Sequence, residues 1–215
     1  MFMQVEGRWK FYQAYMENAD LSVWYKNPNI PFKEGLLLFG FVHSWDPHYE
    51  GDIIQFYELY PEIFPIIKKC SDESIVTINF TPATSKDIKE IFDKLCYITR
   101  KKFGKQKPEF TDTSKLLHGI LPDLFVMWDN NIRKALTEDE RNGECYSFRF
   151  LPNMQKMAKN ILDTYIDEKG GDYRSSSKNI SSLADGYSIS KLLDEYNYLR
   201  YTKGKSLSEI INLQI

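Results

Sequence analysis

Cysteine is scarce in this chain. Its 215 residues hold three, Cys70, Cys96 and Cys145, far apart and odd in number. No CxxC or Cys/His spacing of a metal site occurs, which argues against zinc. Each cysteine is expected to serve as a small buried hydrophobe. Long apolar runs are also lacking. The longest, "GLLLFGFV" (Gly35 to Val42), is far short of the ~20 residues a membrane-crossing helix needs. The N-terminal "MFMQVEGRWKFYQ" has no basic segment followed by a long apolar one, so no signal peptide is expected. These absences predict an intracellular, cytoplasmic protein with no membrane partner.

An excess of charge of one sign is missing too. The chain carries 28 basic and 30 acidic side chains, a formal net charge of -2. It therefore exerts no global pull on nucleic acid. The sequence contains no P-loop, no Rossmann glycine fingerprint, no HExxH and no GxSxG. No cofactor is expected and no small-molecule substrate is indicated. "HSWDPH" sets His43, Asp46 and His48 close together. A Trp-Asp-Pro turn explains that spacing better than a metal does.

What the chain does have is apolar and aromatic residue, at 42% and 15%. That is enough to fill a core with tyrosines at its rim. Helical spacing dominates. Trp9, Tyr12, Met16 and Ala19 mark a helix over 6–19. "KNPNIPF" reads as a loop, and "GLLLFGFVHSW" fits either a buried helix or a strand. A helix over Asp52 to Leu59 should end at Pro61. "SIVTINF" (Ser74 to Phe80) is β-branched and predicts a strand. Thr84 and Asp87 form a capping-box pattern ahead of Ile88, Ile91, Phe92 and Leu95.

The stretch "TDTSKLLHGILPDLFVMWDNNIRKAL", Thr111 to Leu136, draws most attention. Thr113 or Asp112 is expected to cap a helix whose apolar face is Leu116, Leu117, Ile120 and Leu121, ended by Pro122. "DLFVMW" is an apolar connection. Asp129 then caps a helix that should bury Ile132, Ala135 and Leu136. Further on, Met154, Met157, Ala158, Ile161, Leu162 and Tyr165 repeat at helical spacing, as do Ile189, Leu192, Leu193, Tyr196 and Leu199. The Gly- and Ser-rich run from Asp167 to Ser182 predicts a mobile surface loop. With no repeat and no clear linker, the expectation is one mainly helical domain over 1–215 with at most a minor strand element.

Lys115 and His118 lie three positions apart and can share a helix face. Asp129 opens the next helix fourteen positions after Lys115. "WDNNIRKAL", with Asp129, Asn131, Ile132, Arg133 and Leu136, and "SKLLHGILPDLFVMWD" resemble the helix-hairpin-helix DNA glycosylase superfamily. The likeness is to its lysine-bearing 8-oxoguanine glycosylases and covers about Ser85 to Leu136. The resemblance implies a catalytic pair. Lys115 would attack the sugar and form a Schiff base, and Asp129 would stabilise positive charge on the sugar. It implies a base flipped out of duplex DNA and held by His118, Trp128 and Asn131. The basic run "RKKFGKQK" (Arg100 to Lys107) reads by itself as a solvated loop; under the resemblance its Lys101, Lys102, Lys105 and Lys107 would supply part of the grip on the DNA backbone. The chain departs from the family at the hairpin, which holds Gly104 and no Gly-x-Gly. The other reading is a non-catalytic helical interaction protein, of the kind that partners defence or toxin–antitoxin systems.

Overall fold

The structure is a computed structural model. It describes residues 3–98, 107–138, 140–184 and 186–211, with side chains described between 10 and 210 of these. The described residues are mainly α-helical and contain no extended strand. The chain groups into two compact units. The first is Met1–Ser71 with Glu90–Leu121, the second Asp72–Lys89 with Pro122–Ile215.

In the first unit, helices α1 (Met3–Asn18), α3 (Phe32–Trp45) and α6 (Phe110–Ile120) pack on one another. "GLLLFGFVHSW" thus proves helical. Phe41 of α3 stacks on Tyr15 and meets Tyr12, both from α1. The Tyr15 hydroxyl donates to the Gly119 carbonyl of α6 at 2.8 Å. Gly119 is required there, because a Cβ would run into the Leu38 side chain of α3. A one-turn helix α2 (Val23–Lys26) buries Trp24 against Phe56 and Tyr60 of α4 (Ile53–Cys70).

Helix α4 starts as expected, with Asp52 Oδ1 accepting from the amides of Ile54 and Gln55. It does not stop at Pro61. It continues through both Pro61 and Pro65 to Cys70. Each interior proline costs about 3 kcal/mol. Burying Ile63 and Ile67 beyond Pro61 regains about 1.5–3 kcal/mol per side chain and offsets much of that cost. Both proline rings sit on the exposed face, where water can hydrate the carbonyls left without an amide.

Helix α5 (Pro82–Leu95) buries Ile88, Ile91, Phe92 and Leu95 as their spacing predicts. Its cap is Thr81 rather than Thr84: the Thr84 amide donates to Thr81 Oγ1 at 3.1 Å. The β-branched stretch before it is a turn, not a strand. Thr77 and Ile78 amides both donate to the Ser74 carbonyl. Gln155 Nε2 donates to the carbonyls of Ile75 and Ile78 at 2.9 and 2.7 Å. Ile75, Val76 and Ile78 stay buried, so the segment satisfies both its backbone and its apolar side chains without a ladder partner.

The second unit continues with the apolar connection, in which Leu124 to Trp128 are all buried. Helix α7 (Asn130–Thr137) follows. It buries Ile132, as expected, but Ala135 is exposed and Leu136 half-buried; Arg133 and Thr137 take the inner positions. Helix α8 (Gly143–Cys145) runs through a π-helical turn (Tyr146–Phe150) into α9 (Leu151–Lys169). The polar run after α9 is no loop. Gly170 and Gly171 make the turn at positive φ, and α10 (Tyr173–Leu183) begins with a capping box between Asp172 and Ser175. Helix α11 (Ile189–Asn197) passes through a second π-helical turn (Tyr198–Thr202) towards α12 (Leu207–Ile211). The three cysteines are buried.

Candidate functional site

Lys115 belongs to the first unit and Asp129 to the second. Helix α6 is buried along most of its length, including Asp112, Lys115 and His118. Its first turn is not capped by Thr113 or Asp112. The Glu109 carbonyl accepts from the Thr113 hydroxyl at 2.7 Å, and Asp112 lies inside the helix. Lys115 Nζ donates to Asp112 Oδ1 at 2.7 Å, one turn away. Burial pushes the Asp112 carboxyl above its ordinary range, against the pull of Lys115. Glu109 is raised by burial as well. His118 is fully enclosed, with Nε2 3.3 Å from the Tyr12 hydroxyl. His43 and Asp46 lie close enough to act electrostatically on Asp112. Asp46 Oδ1 accepts from the His48 amide at 2.9 Å, which accounts for the "WDPH" turn.

Asp129 caps α7. Its Oδ1 accepts from the amides of Asn131 and Ile132, both at 2.8 Å. Its Oδ2 accepts the hydroxyl of Thr202. The π-helical turn after α11 widens the helix and carries Thr202 to that oxygen. Three of about four lone-pair directions on the carboxylate are thus taken. Trp128 is 1% exposed and sits in an aromatic cluster, edge-on to Tyr146 and tilted against Phe150. The Tyr146 hydroxyl donates to the Val126 carbonyl at 2.8 Å. Trp128 is a core residue in this arrangement. Asn131 is exposed. Of the expected backbone-gripping lysines, Lys107 is exposed and 3.7 Å from Glu109; Lys101, Lys102 and Lys105 lie outside the described residues.

The sequence reading missed a second charged group. Lys191 of α11 is 0% exposed, and its Nζ donates at 2.6 Å both to Asp194 Oδ2 and to Glu195 Oε1. Burial pushes the Lys191 ammonium down, and the two carboxylates outweigh it, so its pKa is raised. Burial raises the Asp194 carboxyl to about 6 against the attraction of Lys191, with Glu195 and Asp129 adding repulsion. A lysine and an acid three positions apart on a helix resemble a solvated surface pair, and only packing shows otherwise.

Glu195 also faces a cleft of about 520 Å³ within the second unit, walled by α9, α10, α11 and α12. Met157, Ile180, Leu192, Leu193, Leu199 and Ile210 line it. Ile161 and Leu207, also in its wall, remain 49% and 56% exposed. No single helix shows this feature, since its wall is drawn from four successive helices that meet only when packed. Among the described residues no group of three His, Cys, Asp or Glu side chains is placed to hold a metal, and no helix is long and apolar enough to cross a membrane. Compared with known proteins, the chain matches no protein-family model, no curated protein and no solved structure.

Proposed function

We propose that this chain is a non-catalytic helical interaction protein whose second unit receives an apolar segment of a partner. The carrying observation is the cleft. It is concave and apolar, and two large aliphatic side chains of its wall stay half exposed at the mouth. Exposed apolar surface of this kind marks a place that another molecule covers. The polar residues that a glycosylase would use support the same reading. Lys115 is tied to Asp112, Asp129 is engaged by two amides and a hydroxyl, and His118 and Trp128 are closed to solvent. The cleft is tested with anilinonaphthalene sulfonate, a dye that fluoresces on apolar surface. The native protein should bind it, and Ile161→Lys should abolish binding without loss of helical circular dichroism. No dye binding by the native protein rejects the reading.

A glycosylase/lyase acting on damaged DNA is the second reading. It is supported by the resemblance of "WDNNIRKAL" and by Asp129 standing at the start of α7. Borohydride reduction in the presence of an abasic-site or 8-oxoguanine duplex tests it. A covalent adduct that disappears in Lys115→Gln would replace the first reading with this one.

A further inference from the structure

We infer that the partner segment fitting this cleft is an amphipathic helix that sets a lysine or arginine beside Glu195. The inference rests on the proposed role of the cleft and adds the chemistry of its occupant. Lys191 is enclosed and faces two carboxylates, so the group Lys191, Asp194 and Glu195 holds one negative charge in excess. Asp129 lies near enough to Asp194 to add to it. Of the three, Glu195 is the member that reaches the cleft wall, and its side chain is 24% exposed. Lys191 occupies its Oε1. The other polar positions of the wall, Asn160 and Tyr196, bring no positive charge.

Several basic side chains on neighbouring elements have contacts of their own. Arg200 donates to the Lys205 carbonyl, Lys205 pairs with Glu209, and Lys203 and Lys159 lie over tyrosine rings. A cation arriving with the partner would therefore meet the Glu195 carboxylate in a largely apolar surround, where screening by water is weak. The cleft runs between helices, so a helix presenting aliphatic side chains at i, i+3 and i+4 matches its walls.

The test uses three fluorescent peptides of about 18 residues, five helical turns. Each has leucine on one face; the other face carries lysine, glutamine or glutamate. Fluorescence polarisation with the full chain at low salt should show the lysine peptide binding about tenfold tighter than the glutamine peptide. The glutamate peptide should bind weakest. Glu195→Gln should bring the lysine peptide down to the level of the glutamine peptide. Asn160→Lys, on an exposed position, should weaken the lysine peptide and strengthen the glutamate one, and it serves if Glu195→Gln fails to fold. Equal binding of all three peptides, unchanged by either variant, overturns the charge inference and leaves the cleft as a binding site. No binding of any peptide, together with no dye binding, overturns both.

Discussion

Lys115 and Asp112 form an ion pair inside the first unit, 2.7 Å apart with side chains 10% and 2% exposed. A buried pair of this kind adds little net stability, since desolvation offsets attraction, but breaking it is costly. Lys115→Met leaves the carboxylate enclosed without its cation and should destabilise the protein by about 3–5 kcal/mol in urea unfolding. Asp112→Leu combined with Lys115→Met should recover most of that loss. If the single variant costs nothing, the pair does not form in solution.

Asp194 predicts a pH dependence with a definite sign. Its carboxyl is raised from 3.8 to about 6, so the folded state holds the proton more tightly than the unfolded one. The stability this group contributes is full below about pH 4 and is lost as pH rises to about 6. Lys191, Glu195, Asp129 and Tyr146 face or act on this group. Comparing melting temperatures of the native protein and Asp194→Asn across that range isolates the effect. The native protein should lose ground to the variant on going from pH 4 to pH 6.

Asp129 and Thr202 should prove energetically coupled. Asp129→Ala removes both the cap and the acceptor for Thr202, at about 1–2 kcal/mol. Thr202→Val should cost about 1 kcal/mol. In the double variant the second substitution should add little, giving a coupling of about 0.5–1.5 kcal/mol in a double-mutant cycle. Strict additivity would show that the hydroxyl does not reach the carboxylate.

Two glycines should respond in opposite directions. Gly40 lies on the exposed face of α3 with nothing within 4 Å of where a Cβ would stand. Gly40→Ala should therefore stabilise by about 0.5–1 kcal/mol through helix propensity. At Gly119 the same methyl collides with Leu38, and Gly119→Ala should lower the melting temperature. Thermal unfolding of the two variants side by side checks both.

The helices were legible because their apolar positions repeat at helical spacing. Ile88, Ile91, Phe92 and Leu95 are all buried as that spacing predicts, and Asp52 and Asp129 cap the helices they precede. Local signals failed where a distant partner changed their meaning. Pro61 reads as a stop, but the apolar face beyond it holds the helix together. "SIVTINF" reads as a strand, but Gln155, far along the chain, satisfies its carbonyls in a turn. The Gly- and Ser-rich run reads as a loop, although the reciprocal Asp172–Ser175 cap was visible in the residues themselves.

The amino-acid sequence alone specifies a helical protein, because side-chain periodicity and capping are local properties of the chain. It also determined which residues carry chemistry-bearing groups. Packing settled what those groups do. It enclosed His118 and Trp128 among aromatic rings, turned Lys115 onto Asp112, and buried Lys191 with two acids. It also assembled the apolar cleft from the faces of four successive helices. Burial and long-range pairing depend on which helices meet, and no spacing within one helix encodes that.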